Sequence, residues 1–177
     1  YLDTENARGW AVEHLQGKRV LNTFAYTGSF GVAAKAAGAR QVYQLDLNKR
    51  FMDVARQSYE LNGFDYVPEE FLAGDFFPWI SRLKRTRELF DCVFLDPPYF
   101  SVTPQGRVDL ANESHRLINK VRPLIREHGW LVAINNSLFT SGEDYLQALH
   151  NLCATGYLEI EQLIPVPAHV CGYPQTI

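Results

Sequence analysis

Residues 89–96, Leu-Phe-Asp-Cys-Val-Phe-Leu-Asp, constrain the fold more than any other stretch. The run is apolar at consecutive positions, so a strand built from it has two faces to bury, which calls for a sheet covered by helices on both sides. The chain then continues Asp96-Pro97-Pro98-Tyr99-Phe100. That sets a carboxylate, two residues of fixed φ and two aromatics at the mouth of a buried strand.

The remaining chain alternates β-rich runs with helical patterns. Strands are expected at 19–26, 41–47, 69–75, 89–96 and 129–136, with a sixth at 157–166. Helices are expected from the loop at 27–28 to Gly38, from an Asn48 cap to Asn62-Gly63, over 76–85 and 112–128, and from a Ser141 cap to Gly156. This order predicts an α/β fold with a doubly wound, mainly parallel sheet. A chain of 177 residues, 46% hydrophobic and 21% charged, has the size of one domain, here 1–177. Its abrupt start at Tyr1 and stop at Ile177 suggest a piece of a longer protein that lacks a last edge strand.

The apolar runs fall far short of the roughly 20 residues that cross a membrane, and a cytoplasmic location is expected. Cys92, Cys153 and Cys171 are isolated, so neither a disulfide framework nor a metal site is expected. The net charge of −3 gives no broad basic face, so tight nucleic-acid binding by this segment alone is not expected.

In an open parallel sheet, ligands sit beyond the carboxyl ends of the strands. Gly28 and Gly31 follow the first expected strand, and Asp46, Asp75 and Asp96 follow the next three. Asp46 lies about eighteen residues beyond Gly28, near the spacing at which an acid receives ribose hydroxyls. Each feature also has a structural reading: the glycines as packing positions, Asp46 and Asp75 as helix caps. Asp96 resists that reading because Pro97 and Pro98 impose extended geometry. The turn Tyr26-Thr27-Gly28-Ser29-Phe30-Gly31 lacks G-x-G-x-x-G spacing and a lysine for phosphate. S-adenosylmethionine (SAM) carries no phosphate, and Gly28, Asp46 and Asp75 suit its amino-acid, ribose and adenine parts in that order.

The stretches 19–39, 45–63, 73–80 and 90–101, in order and spacing, resemble the bacterial class I SAM-dependent methyltransferases of large-subunit ribosomal RNA, especially the guanine K/L type and related cytosine-5 enzymes. The resemblance implies the Rossmann-like sheet of that class, SAM as cofactor and ribosomal RNA as partner, with an RNA-binding domain outside this segment. It implies that Tyr26, Thr27, Gly28, Ser29 and Phe30 hold the methionine portion, Asp46 with Leu47 the ribose, and Asp75 with Phe76 the adenine. Asp96-Pro97-Pro98-Tyr99 resembles the [D/N]-P-P-[Y/F] motif of enzymes that methylate base nitrogens. There Asp96 and the Pro97 carbonyl accept from a base amine or imino group, Pro98 stiffens the turn and Tyr99 stacks on an extruded base. The lead-in Leu2-Asp3-Thr4-Glu5-Asn6-Ala7-Arg8 matches the family loosely, which leaves Asp3 and Arg8 without an assigned role.

Cytosine-5 methylation needs a thiolate. Asn135 and Asn136 stand where the cytosine-type relatives tend to have Cys, and the guanine type is favoured, with Asn135 at the catalytic site. Cys171 keeps the cytosine reading open. Protein or small-molecule methylation on the same fold, and a SAM-binding adaptor without turnover, are the other readings. His115 and the cluster Lys84, Arg85 and Arg87 are candidates for RNA contact, or else solvated surface.

Overall fold

The computed structural model describes residues 2–137 and 139–170. The strands are β1 (Arg19–Thr23), β2 (Gln41–Asp46), β3 (Phe71–Ala73), β4 (Phe90–Leu95), β5 (Phe100–Thr103), β6 (Gly106–Asp109) and β7 (Ile125–Ala133). The helices are α1 (Glu5–His14), α2 (Ser29–Ala36), α3 (Lys49–Leu61), α4 (Phe76–Arg85), α5 (Leu110–Val121) and α6 (Gly142–Cys153). Five strands form one sheet in the order β3-β2-β1-β4-β7, and β5 and β6 form a separate hairpin. Every pairing in the five-stranded sheet is parallel. The strand order reverses between β1 and β4, the position where such sheets open a crevice.

Local chemistry sets the helix ends. The Asn48 side chain accepts from the Arg50 amide at 3.0 Å, Asp75 from Phe77 at 2.8 Å and Ser141 from Asp144 at 3.0 Å, each satisfying an amide that a helix start leaves open. Gly38 and Gly63, at φ +80° and +72°, reverse the chain after α2 and α3.

The middle strands divide their side chains between two cores. Val20, Cys92 and Phe94 pack with Ala7, Ala11, Phe30 and Ala33 under α1 and α2. Leu21, Val93 and Leu95 pack with Phe76, Ile80, Leu117, Val121 and Leu152 under α4, α5 and α6. Within the run 89–96, Phe90–Leu95 thus form a strand buried on both faces, as its apolar side chains require.

Two expectations are corrected. The helix expected over 112–128 stops at Val121, because Pro123 cannot continue it and starts a single 3-10 turn, and Ile125–His128 become the front of β7. The strand expected at 157–166 forms no ladder. Leu158 packs into the core under α5 and α6, Ile164 packs into the core under α1 and α2, and Asn6 Nδ2 donates to the Pro165 carbonyl. The segment therefore passes from one face of the sheet to the other, meeting β7 through a Trp130 Nε1–Glu161 hydrogen bond of 2.9 Å. Helix α1 and the β5–β6 hairpin are additions that the sequence reading lacks.

Candidate active site

The chain beyond β1 is wound tightly. Phe24 and Tyr26 adopt φ of +55° and +51°, unusual for residues with a Cβ, and Gly28 follows at +79°. Asp46 holds this loop in place: one carboxylate oxygen accepts from the Tyr26 amide at 2.9 Å and the other from the Asn48 amide at 2.8 Å. The Asp46 carbonyl accepts from Gly74 N, so the ends of β1, β2 and β3 are tied together through one residue.

The glycines serve this loop by letting protein approach protein. A Cβ on Gly31 would lie 1.5 Å from Gln44 Nε2, and one on Gly28 would lie 2.7 Å from Ala55 Cβ. Gln44 is fully buried, receives Asn22 Nδ2 at 2.8 Å, and donates toward the Gly28 carbonyl at 3.3 Å and the Tyr59 hydroxyl at 3.2 Å. Burial pushes the Tyr59 hydroxyl far above its ordinary range, so it stays protonated. Sequence reasoning missed Gln44 and Tyr59. A glutamine inside an otherwise apolar strand was the available signal, because buried amides need partners.

Of the residues assigned to the cofactor, Tyr26, Thr27, Ser29, Asp46, Leu47 and Asp75 have surface at this end of the sheet, and Leu47 is 60% exposed. Gly28 is buried beneath them. Phe30 stacks on Phe94 at 4.5 Å and Phe76 on Phe24 at 4.8 Å. Their rings belong to the core, which leaves only their backbone for a ligand. Asp75 is the cap of α4, as its structural reading held, and still has unused lone pairs.

Beyond β4, Asp96 is half-buried, Pro97 is buried and Tyr99 is 38% exposed. Asn136 Nδ2 donates to Asp96 Oδ1 at 2.8 Å from the loop after β7. Burial, then the nearby Asp3 carboxylate, push the Asp96 carboxyl up to about 6, and the Asn136 hydrogen bond pulls the other way. The Tyr99 ring tilts against Phe139 at 5.0 Å, and its carbonyl accepts from Leu110 N at 3.0 Å, which joins the motif to the start of α5. Asn135, expected at the catalytic site, instead clasps its own loop through Thr140 O and Ser137 N. The neighbouring Asn136 reaches Asp96. Adjacent asparagines look alike in a sequence, and the direction of the chain leaving β7 decides between them.

Cys92 is fully buried, and burial holds its thiol well above the ordinary range. Cys153 ends α6, and Cys171 lies outside the described residues. Among the described residues no group of three His, Cys, Asp or Glu side chains is placed to hold a metal, and no helix is long and apolar enough to cross a membrane.

A doubly wound sheet with a Gly loop and two acids at successive strand ends defines a nucleoside-binding domain of the Rossmann-like class. The donor set suits SAM: Asp46 keeps a lone pair on each oxygen for ribose hydroxyls, Leu47 offers an apolar surface to adenine, and the loop carries no cation that a phosphate would need. The chain belongs to the family of S-adenosylmethionine-dependent methyltransferases, whose model matches residues 1–168.

Relatives extend the comparison. Ribosomal RNA large subunit methyltransferase I of Erwinia tasmaniensis is 40% identical over 181 residues, covering 99% of this chain and 46% of that protein. The type I enzyme of Aeromonas hydrophila is 43% identical over 101 residues, 57% of this chain and 25% of that one. Methyltransferase K/L of Psychrobacter cryohalolentis is 36% identical over 140 residues, 77% of this chain and 18% of that one. The chain thus spans less than half the length of these relatives. In fold it is similar to SMU.776, solved as a complex with SAH, with a TM-score of 0.85 at 24% identity over 99% of this chain and 46% of that one. It also resembles the ribosomal protein L11 methylase of Lactobacillus delbrueckii subsp. bulgaricus, with a TM-score of 0.64 at 17% identity over 90% and 71%.

Proposed function

We propose that residues 1–177 are a catalytic domain that methylates a guanine nitrogen of large-subunit ribosomal RNA in the cytoplasm. The relatives' names support the RNA, and they divide between types I and K/L on the enzyme, so the choice of base rests on the site. The observation that carries it is the Asp96–Asn136 pair, its Asp96 three residues before the exposed Tyr99 in the chain, with asparagines rather than a thiol in the loop after β7.

When bound, SAM supplies a methyl group already activated on a sulfonium, so the protein's task is alignment. Asp46, Asp75 and Leu47 hold the nucleoside part, and the amides of the loop after β1 face the methionine part. Tyr99 stacks on the extruded base. Asp96 Oδ2, the oxygen that Asn136 leaves open, accepts the base N–H and keeps the nitrogen lone pair directed at the methyl carbon. Transfer of the methyl group to the nitrogen breaks its bond to sulfur, leaves the neutral thioether S-adenosylhomocysteine, and releases the nitrogen's proton to Asp96. With a carboxyl near 6, Asp96 is ionised at neutral pH and passes that proton to water. The Pro97 carbonyl is a second acceptor beside it.

The test is methyl transfer to ribosomal RNA, followed by digestion and nucleoside mass spectrometry. The expected product is N-methylguanosine. 5-Methylcytidine would replace the guanine reading with the cytosine one, and label found only in ribosomal protein would remove RNA as the substrate.

A further inference from the structure

Helix α5 begins where the Tyr99 carbonyl accepts the Leu110 amide, so it leads directly away from the base site. It continues past a break at Glu113. Five to ten residues beyond Leu110 lie His115, Arg116, Asn119 and Lys120, which with Lys84 from the end of α4 line a cleft of about 340 Å³. At 1.5 Å per residue this cleft begins about 8 Å and ends about 15 Å from the start of α5. A polynucleotide whose target base rests on Tyr99 brings neighbouring phosphates within that reach.

The charges in the cleft are unbalanced. Arg116 shares Glu113 with Arg107, as Nη1 meets Oε2 at 3.0 Å. Lys84 and Lys120 are both half-buried and form no ion pair among the described residues. Burial, then the charge of Lys120, lower the Lys84 ammonium from its ordinary range. Two cations facing one cleft repel each other in the free protein, and an anion placed between them removes that repulsion. The apolar side of these helices is taken up by Leu83, Leu117 and Val121, which belong to the core and leave the two lysines out of it.

We propose that the cleft between α4 and α5 is a docking site for the phosphate backbone of the substrate RNA, with Lys84 and Lys120 as its two point charges and His115 and Asn119 as hydrogen-bonding partners. It rests on the reading that the substrate is RNA. The cleft supplies the local positive charge that a chain of net charge −3 lacks overall. It also explains why the cations concern affinity and leave the chemistry to Asp96: the cleft lies along α5, away from the strand ends.

The experiment compares the wild-type protein, K84Q/K120Q and K84R/K120R. Each is assayed for methyl transfer to ribosomal RNA across a salt series, with SAM affinity and melting temperature measured on the same samples. Loss of two single-strand phosphate contacts lowers the slope of log affinity against log salt by about 1.4 and raises KM for RNA roughly tenfold at low salt. K84Q/K120Q should show both changes, with kcat, SAM affinity and melting temperature unchanged, and K84R/K120R should retain the wild-type slope. An unchanged KM and slope in K84Q/K120Q, beside a wild-type protein that methylates RNA, would overturn the docking site alone. Failure of the wild-type protein to methylate any RNA overturns the function and the docking site together. Competition at the cleft by polyglutamate, but not by a single-stranded RNA oligonucleotide, would assign it to an acidic protein partner and overturn the proposal.

Discussion

Asn136 donates to Asp96 across 2.8 Å, joining the loop after β7 to the end of β4 over forty positions of sequence. This bond opposes the burial and the Asp3 charge that raise the Asp96 carboxyl to about 6. The pair therefore sets the pH at which the proposed acceptor becomes a carboxylate. Methyl transfer, measured as kcat/KM, should rise with pH through about 6 and level off above it. Asn136→Ala removes the one favourable donor, so the rise should move to higher pH. An unmoved profile would separate Asp96 from the rate.

The same shift bears on stability. A carboxyl raised in the folded state from 3.8 to about 6 favours folding most below about pH 4, and that contribution is lost as pH rises through about 6. Denaturant unfolding of wild type against Asp96→Asn should show a difference that grows by about 1 to 3 kcal/mol between pH 4 and 7, with partial solvent access setting the lower figure. The asparagine variant should be the one that gains, relative to wild type, as pH rises.

Gly31 and Gln44 offer a packing test. Gly31→Ala places a methyl where Gln44 Nε2 sits, and overpacking of this kind costs about 1 to 3 kcal/mol. Because Gln44 also steadies the Gly28 carbonyl, SAM affinity should fall with stability. Gly31→Ala combined with Gln44→Ala should cost less than the sum of the single changes, since the clash and the displaced amide are one event. Additive costs in urea unfolding would contradict the coupling.

Asp46→Asn should weaken SAM binding by about 1.5 to 3 kcal/mol, the scale of charge-assisted hydrogen bonds. The same change weakens the acceptors for Tyr26 N and Asn48 N, so the melting temperature should also drop. Calorimetry is the direct measurement, and wild-type SAM affinity in the variant would remove Asp46 from the ribose.

Much of the frame was legible because it is written locally. Asn48, Asp75 and Ser141 cap helices through amides two or three residues away, and the run at 89–96 announces its own burial. The β5–β6 hairpin was also within reach: Pro104-Gln105-Gly106 punctuates two short runs, but its strands are only four residues each and partly exposed, so they carry little apolar signal. Helix α1 hid because its buried face is made of Ala7 and Ala11, residues too small to stand out as a stripe. The site was less legible than the frame. That Gln44 occupies the space above Gly31, and that Asn136 rather than Asn135 reaches Asp96, follow from how neighbouring strands register, which no local pattern reports.

Cysteine chemistry gives a separate prediction. With Cys92 buried and its thiol held protonated, a nitrogen-methylating site needs no thiolate. Cys153→Ala and Cys171→Ala should retain full turnover, and RNA carrying 5-fluorocytosine should form no covalent complex on a denaturing gel. A trapped adduct would move the reading to cytosine.

The central claim is that Tyr99 and Asp96 hold the base while the ends of β1, β2 and β3 hold SAM. It is tested most directly by Tyr99→Ala, with melting temperature, SAM affinity and single-turnover methyl transfer measured on one sample. Loss of a stacking surface worth about 1 to 3 kcal/mol should slow transfer roughly tenfold to a hundredfold, with SAM affinity and melting temperature nearly unchanged. Full methyl transfer, or a parallel fall in all three quantities, would contradict the account.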